Sequence, residues 1–260
     1  MSAATPLAGV GVVITRPRAA AEALAAPLAR AGARVFVFPA LAIEDLPPSD
    51  TLEAALARLP ECSLAIFVSA HAVEKGLAAA KRHGAWPKST RVAAIGEATA
   101  QALRNSGFDA VISPHERHDS EALLARAELQ PRRVAGEDIT VFRGAGGLER
   151  LKEVLEERGA KVRYAECYRR VRPKSDPQPL LAAWSRGQVH AVSVLSAETL
   201  ENFVAMIGAE GCERLAASAL VVPHETIAAH REARRFGRVL IAAHGAEGLT
   251  HALSQLKVAP

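Results

Sequence analysis

Aromatic residues are scarce in this sequence: Phe, Tyr and Trp together make up 4% of its 260 residues. No basic surface with interleaved aromatics can be drawn, which excludes a platform for stacking nucleic-acid bases. Cysteine is also rare, and Cys62, Cys167 and Cys212 have neither a CxxC nor a zinc-binding spacing. An odd number of scattered thiols is typical of a reducing compartment, so we expect a cytoplasmic protein.

Long apolar runs are missing as well. No stretch approaches 18 uncharged apolar residues, and the first residues lack the charged and apolar regions of a signal peptide. The formal net charge of +4 is mild and its basic residues are scattered. We therefore expect no membrane and no nucleic acid as partner, whereas an anionic small molecule is compatible with this charge.

Short β-branched runs alternate with Ala-, Leu- and Arg-rich stretches of helical period along the chain. This alternation predicts an α/β fold of βαβ units with mostly parallel sheets, and left-handed stops at Gly32 and Gly159. The predicted strands are 10–15, 34–38, 64–68, 91–95, 110–112, 138–142, 161–165, 190–195, 219–222 and 238–242.

A single offset of 127 residues relates four separate motifs in the two halves of the chain. The related pairs are Arg16 with Arg143, Gly32 with Gly159, Ser69 with Ser196, and Thr99 with Thr226. One shared offset over four motifs predicts two related α/β halves. The most Pro-rich segment, 171–179, nevertheless lies inside the second half rather than between the halves.

The Arg, Ser and Thr residues of these pairs all fall where a predicted strand passes into a helix. Such junctions line the carboxyl edge of a parallel sheet, where doubly wound folds bind their ligands. Free N–H groups and helix dipoles favour anions at the same edge. We therefore expect a cleft that binds an anion, and the alternative is that each Ser and Thr is an ordinary helix N-cap.

The remaining motifs give weaker evidence of a function. The run RGAGG (143–147) matches neither GxGxxG nor GxxxxGK[ST], so we interpret it as a tight turn rather than a phosphate-binding loop. His115 and His118 have no third ligand in reach, and His224 and His230 are six residues apart, on different helix faces. No metal site and no nucleophile motif such as GxSxG is expected.

Tyr168 is one of two tyrosines and lies in the arginine-rich segment ECYRRVRP. A phenol among guanidinium groups is suited to donate a proton. The alternative is a strand residue that packs its ring and keeps its hydroxyl in water.

As a series, these motifs resemble the uroporphyrinogen-III synthase family. The segments that carry the resemblance are ITRP (14–17), FVSAHAV (67–73), AIGEATAQAL (94–103), SEALL (120–124), RGAGG through CYRRVRP (143–173) and VLSAETL (194–200). They span nearly the whole chain in the family's order. The sequence departs from the family at His71, where Asn is usual, at Leu148, where Arg often follows the turn, and in the loose segment PHETIAAH.

The resemblance implies two flavodoxin-like α/β domains with parallel sheets, joined by a two-stranded antiparallel connector. The first domain is discontinuous, 1–38 and 172–260, and the second is 42–165. The connector strands are about 39–44 and 166–171. The boundaries of the spatial domains would then differ from the boundaries of the duplicated sequence halves by the length of one connector strand.

The resemblance also implies a cyclising hydro-lyase of haem-type tetrapyrrole biosynthesis, without metal or organic cofactor. It would convert hydroxymethylbilane to uroporphyrinogen III, with inversion of the last pyrrole ring and loss of water, and could contact hydroxymethylbilane synthase transiently. Tyr168 is the implied general acid. The implied substrate-binding residues are Arg16, Ser69, His71, Thr99, Arg143, Gly144, Ser196 and Thr226.

Two alternatives remain open at this point. One is a non-catalytic two-domain protein that binds an anionic ligand in its cleft. The other is a doubly wound enzyme acting on nucleotides or sugars, which the missing phosphate-loop motifs disfavour.

Overall fold

A computed structural model describes residues 5–47, 49–114, 119–147 and 149–256. His115, His118 and Leu148, considered above, lie outside these residues. The chain divides into two compact units, unit 1 (Met1–Ala42 with Val171–Pro260) and unit 2 (Ile43–Arg170). Within the described ranges, no helix combines the length and the apolar character needed to cross a membrane.

Strands and helices alternate along the described chain. The strands are β1 (Gly11–Ile14), β2 (Arg34–Val37), β3 (Ala42–Asp45), β4 (Leu64–Phe67), β5 (Arg91–Ala94), β6 (Val111–Ile112), β7 (Asp138–Gly144), β8 (Lys161–Val171), β9 (Ala191–Ser193), β10 (Ala219–Val222) and β11 (Arg238–Ile241). The α-helices are α1 (Arg18–Arg30), α2 (Asp50–Ala57), α3 (Ala70–His83), α4 (Glu97–Asn105), α5 (Ser120–Leu124), α6 (Pro131–Val134), α7 (Arg150–Glu157), α8 (Gln178–Ser185), α9 (Ala197–Leu215), α10 (Glu225–Ala228) and α11 (Gly245–Ser254).

Unit 1 is organised around a sheet of parallel strands in the order β11-β10-β9-β1-β2. The inner strand β1 is buried along its whole length, as expected for a strand covered on both faces. Its side chains alternate between two cores: Val13 packs with Phe203, whereas Val12 and Ile14 pack with Leu28. Helices on both faces therefore hold β1 in the middle of the sheet.

Unit 2 has a sheet in the order β3-β8-β7-β4-β5-β6, in which β4 is the fully buried inner strand. Phe67 at the end of β4 stacks on Phe142 of β7, with ring centroids 4.6 Å apart. The register of β7 and β8 shifts between Arg143 and Gly144, which marks a bulge near the carboxyl end of both strands. This bulge brings Gly144 opposite Tyr168.

The two sheets repeat one strand order. The order in unit 1 is β11-β10-β9-β1-β2, and the matching order in unit 2 is β6-β5-β4-β7-β8. Each strand begins 127 or nearly 127 residues from the strand at the same place in the other sheet. Each unit thus combines strands from both sequence halves, since β1 and β2 join β9 to β11 while β7 and β8 join β4 to β6. The predicted α/β fold with parallel sheets is confirmed.

The chain differs from the sequence expectation around the proposed connector. All ten strands predicted from the hydrophobic runs are present, and the additional strand β3 overlaps the connector strand that the resemblance implied at about 39–44. Strand β8 continues from Lys161 to Val171 without a break, where the prediction ended one strand at 165 and began a connector at 166. The domain boundaries drawn from the resemblance, 1–38 with 172–260 and 42–165, stay a prediction.

The junction of β1 with β9 depends on a neutral histidine. The backbone N–H of Gly11 donates to the ring nitrogen Nδ1 of His190 at 2.9 Å, and the backbone N–H of His190 donates to the Gly11 carbonyl at 2.8 Å. Burial, and then the charge of Arg34, lower the pKa of His190. The ring nitrogen that accepts the Gly11 N–H must therefore stay unprotonated for this hydrogen bond to exist.

We expect the junction to weaken in acid. Because the pKa of His190 is lower in the folded chain, the unfolded chain binds more protons below about pH 6.5, and stability falls as the pH falls through the folded pKa. The melting temperature should drop between pH 7.5 and 5, and His190→Asn should reduce that drop because its amide oxygen accepts without titrating. His251→Asn, on an exposed surface of α11, should leave the drop unchanged. An equal drop in His190→Asn would contradict this account.

Candidate active site

A hydrogen-bonded pair of hydroxyls lies at the carboxyl ends of β4 and β8 in unit 2. Ser69 follows β4 and caps α3, where its Oγ accepts the Ala72 N–H at 3.0 Å. The same Oγ is 2.9 Å from the Tyr168 hydroxyl oxygen, and either oxygen can be the donor. The sequence separates these residues by about a hundred positions, and the parallel sheet brings them together.

The Tyr168 ring is packed closely on several sides and exposes 2% of its surface. A Cβ at Gly144 would lie 2.7 Å from ring atom Cε2, so only glycine fits over this ring. The His71 ring lies with its centroid 6.0 Å from that of Tyr168, at 63°. The Ala145 N–H donates to the Tyr168 carbonyl at 2.8 Å, which ties the turn after β7 to β8.

Burial favours the neutral form of His71. It lies half-buried in the first turn of α3. Burial is the main cause that lowers the pKa of His71; Arg170 and Lys75 act in the same direction and Glu74 opposes them. A neutral imidazole beside the Ser69–Tyr168 pair keeps one ring nitrogen able to accept a hydrogen bond.

The observed contacts of the Arg143 side chain are with other residues of unit 2. Its side chain is buried, stacks 4.2 Å above the Tyr164 ring centroid, and donates to Glu149 at 3.1 Å. Its Nε donates to the Gly144 carbonyl at 3.2 Å. These contacts hold the turn at 143–147 in place. Substrate binding by Arg143 stays a prediction.

The carboxyl edge of unit 1 carries Arg16, Ser196 and Thr226. Arg16 is half-buried, burial lowers its pKa, and its Nε has no hydrogen-bond partner in the described ranges. Ser196 caps α9, where its Oγ accepts the Thr199 N–H at 3.1 Å. Thr226 is an exposed second residue of α10.

The N-cap alternative holds for the two serines and is wrong for the two threonines. Gly96 caps α4, and Thr99 is buried as its third residue. His224 precedes α10 in the cap position, two residues ahead of Thr226. The sequence pattern located these junctions within three residues, which is too coarse to distinguish a cap from the first helical turn.

Two histidines at this edge were not predicted as a pair. His224 follows β10 and His244 follows β11, with ring centroids 5.5 Å apart at 63°. His230, which the sequence grouped with His224, instead faces Glu201 at 3.2 Å. In the part of the chain that the structure describes, no three His, Cys, Asp or Glu side chains form a metal-binding group. The place of His244 between strand β11 and helix α11 was the signal that could have identified it.

Comparisons with known proteins agree with one another. The model of the family described as uroporphyrinogen-III synthase HemD matches residues 22–250. The uroporphyrinogen-III synthase of Salmonella typhimurium is 40% identical over 198 residues, 74% of this chain and 78% of that protein. The one of Escherichia coli is 32% identical over 201 residues, 76% of this chain and 80% of that protein.

Solved structures give the same fold. A mutant uroporphyrinogen III synthase of Thermus thermophilus has a TM-score of 0.59 at 20% identity, covering 95% of this chain and 100% of that one. The uroporphyrinogen-III synthetase of Helicobacter pylori has a TM-score of 0.57 at 12% identity, with the same coverage. The expected enzyme class and its place in tetrapyrrole biosynthesis are confirmed by the family and its named relatives. The chain belongs to the uroporphyrinogen-III synthase family.

Proposed function

We propose that this chain cyclises hydroxymethylbilane, a linear tetrapyrrole, to uroporphyrinogen III with inversion of the last pyrrole ring and loss of water. Tyr168 is the general acid of this proposal. The observation that carries it is the 2.9 Å contact between the Tyr168 hydroxyl and Ser69 Oγ at the carboxyl edge of the unit 2 sheet. A phenol already held by a second hydroxyl can lose its proton without leaving the phenolate unsupported.

Acid assistance is needed at the first step. The bond between the terminal hydroxymethyl carbon and its oxygen breaks, and the oxygen takes a proton from Tyr168 and leaves as water. The carbon skeleton keeps the positive charge as an azafulvene, which is then attacked by the substituted carbon of the last pyrrole. The resulting spiro intermediate rearranges with that ring inverted, and the proton lost on aromatisation balances the one that Tyr168 supplied.

Ser69 supports the phenolate that this step creates. One lone pair of Ser69 Oγ accepts the Ala72 N–H, which leaves its own hydroxyl proton available for the Tyr168 oxygen. Hydrogen bonds to an ionised oxygen are shorter and stronger than neutral ones, so this bond strengthens as the proton leaves. Since Tyr168 is nearly buried, the substrate must reach its hydroxyl beside the half-buried Ser69 and His71.

The rest of the proposal concerns binding. Hydroxymethylbilane carries eight carboxylates, which match helix N-termini, backbone amides, hydroxyls and guanidinium groups at sheet edges. Arg16, Thr99, Ser196 and Thr226 are proposed to orient the substrate, together with Gly144 and its neighbouring backbone. Holding a flexible tetrapyrrole in a folded arrangement lowers the entropic part of the barrier.

The supply of substrate and the compartment are also part of the proposal. Hydroxymethylbilane is released by hydroxymethylbilane synthase, so a transient contact with that enzyme would shorten the life of an unstable intermediate. Cys62, Cys167 and Cys212 are free thiols, which supports a reducing compartment such as the cytoplasm.

The direct test supplies hydroxymethylbilane, generated in place from porphobilinogen by its deaminase, and separates the oxidised porphyrins by isomer. We expect predominant type III porphyrin above the type I product of spontaneous cyclisation. Type I product alone, from a folded sample, would overturn the proposed reaction and favour a protein that only binds anions.

Replacing Ser69 with Ala should have a measurable but limited effect on turnover. The lost hydrogen bond to the phenolate, about 1 kcal/mol, lowers kcat about fivefold, and the lost N-cap lowers the free energy of unfolding by about 1 kcal/mol. Thr226→Ala, at an exposed position without a cap role, should change turnover less than Ser69→Ala does. Single-turnover rates and urea denaturation measure both effects, and a fall to background in either variant would contradict this distribution of roles.

A further inference from the structure

His71 is a titratable group beside Tyr168 that the proposed acid step does not use. It lies two residues after Ser69, in the first turn of α3, and is half-buried. Its ring meets the Tyr168 ring edge-on, with the two centroids 6.0 Å apart. Because Ser69 Oγ lies 2.9 Å from the Tyr168 hydroxyl oxygen, the imidazole, the phenol and the serine hydroxyl form one cluster at the carboxyl ends of β4 and β8.

We propose that His71 is a positioning residue for the acid step: its protonated ring stabilises the negative charge that forms on the Tyr168 oxygen as the phenol loses its proton. This inference rests on the proposed function, in which Tyr168 is the acid. A positive charge within about 6 Å of an acidic group favours the ionised form of that group. His71 gives no proton to the substrate. The leaving water still carries the proton of Tyr168, and aromatisation still releases the proton that restores the phenol.

The other charged groups around His71 are of kinds that do not titrate near neutral pH. Glu74 and Lys75 lie on α3 itself, and Arg170 comes from β8. Lys75 pairs with Glu74 at 3.5 Å and with Asp45 of β3 at 2.8 Å. Ordinary carboxylate, ammonium, guanidinium and phenol groups keep their charge between pH 5.5 and 8, whereas an imidazole changes its charge there. A change of charge in this cluster over that range therefore belongs to His71.

The direction of the pH effect follows from the burial of His71. Burial lowers the pKa of His71, so its ring is mostly neutral at pH 7 in the resting protein and gains its charge in mild acid. A phenolate beside the ring offsets the cost of that charge, and the charge in turn stabilises the phenolate. The acid step should therefore be faster with protonated His71, and its rate should rise as the pH falls from 8 to 5.5.

The kinetic test compares the parent chain with His71→Asn, whose amide takes up no proton. Single-turnover rates at saturating hydroxymethylbilane, corrected for spontaneous type I product, should rise about tenfold in the parent from pH 8 to 5.5, the effect of one pKa unit of interaction between opposite charges. The rate of the variant should stay nearly constant. His83→Asn, at the other end of α3, loses a 2.6 Å contact to Glu53 and should keep the parent profile. A parent KM that changes with pH while the saturated rate does not would overturn the proposal in favour of substrate binding by His71.

A double-variant comparison shows whether His71 acts through Tyr168. At pH 5.5, His71→Asn should lower the saturated rate of the parent about tenfold, the same single unit of interaction. In a Tyr168→Phe background no phenolate forms, so adding His71→Asn should have no further effect. An equal loss in both backgrounds would mean that His71 supports the site independently of the Tyr168 hydroxyl, and would overturn the proposal.

A further readout does not depend on turnover. An NMR titration of the histidine ring protons follows His71 in the free protein, and the signal that disappears in His71→Asn identifies it. Its midpoint should coincide with the midpoint of kcat/KM against pH, because kcat/KM reports the titrating groups of the free enzyme. If His71→Asn is poorly folded by circular dichroism, His71→Gln replaces it in each test.

The failure of this proposal is distinguishable from the failure of the proposed function. Different midpoints in the two titrations, or a saturated rate that rises equally in the parent and in His71→Asn, would overturn the role of His71 while type III porphyrin is still formed. Type I porphyrin alone from the parent chain would instead overturn the proposed function.

Discussion

The variant Tyr168→Phe should lower the turnover of hydroxymethylbilane by a factor of about 10² to 10⁴, the range assigned to general acid catalysis. The substitution removes the hydroxyl that lies 2.9 Å from Ser69 and keeps the ring that packs beneath Gly144. The fold should therefore survive. Isomer analysis of the oxidised product, with the type I background subtracted, measures the enzymatic rate.

The second tyrosine of the chain provides a matched control. Tyr164 lies four residues earlier on β8, and burial raises its pKa to about 12, which makes it a weaker proton donor than an ordinary tyrosine. Tyr164→Phe keeps the ring on which Arg143 stacks and should leave turnover within about threefold of the parent. Full activity in Tyr168→Phe would remove Tyr168 from the acid role and assign its hydroxyl to packing and hydrogen bonding alone.

Replacing Gly11 with Ala should cause the largest loss of stability among single changes to the sheets. A Cβ at Gly11 would lie 1.7 Å from the carbonyl oxygen of Gln188, a backbone atom that cannot move without displacing the start of β9. We expect a loss of about 3 kcal/mol, since an added methyl in a filled space costs this much where the neighbours cannot relax. The melting temperature of unit 1 should fall by about 10 °C.

The chain allows unit 1 to be followed separately. Its two tryptophans are divided between the units, Trp184 in unit 1 and Trp86 in unit 2. In a Trp86→Phe background, the fluorescence of the buried Trp184 reports on unit 1 alone. The control Arg34→Ala changes the exposed residue opposite Gly11 on β2 and should shift stability by less than about 0.5 kcal/mol. A stable Gly11→Ala protein would mean that β9 shifts at little cost.

The sequence predicted the strands well because their hydrophobic runs are short, buried and bounded by turn residues. The run at 64–67, for example, is buried along its whole length as the inner strand β4. The hydrophobic pattern alone did not predict strand β3, which only the resemblance implied, because β3 is a sheet edge with two exposed acidic residues and has no apolar run. The pattern ended the preceding strand at 165 for a similar reason: the last residues of β8 include the exposed Arg169 and Arg170, and only the resemblance implied a strand at 166–171.

The candidate site was predictable by position but not by contact. The strand-to-helix junctions identified Ser69, and the family resemblance identified Tyr168, but the place of Tyr168 depends on the bulge in β8 opposite Arg143 and Gly144. A bulge inserts one residue into a strand and leaves no periodic signal. Arg143 differs from these two residues: its repeat position suggested a ligand contact, which stays a prediction, and its side chain contacts Tyr164 and Glu149. Side-chain direction of this kind depends on neighbours that are distant in sequence.

Unit 1 combines strands from the beginning and the end of the chain, and this determines when its sheet can be completed during synthesis. Unit 2 is one continuous segment, Ile43–Arg170, so all of its strands emerge from the ribosome together. Strand β1 emerges first of all, but the His190 that closes its junction with β9 comes 179 residues later. At the usual pace of translation that interval is on the order of ten seconds. The first strand made is therefore among the last to be enclosed, and the edge of β1 that β9 will cover must stay open while the middle of the chain folds.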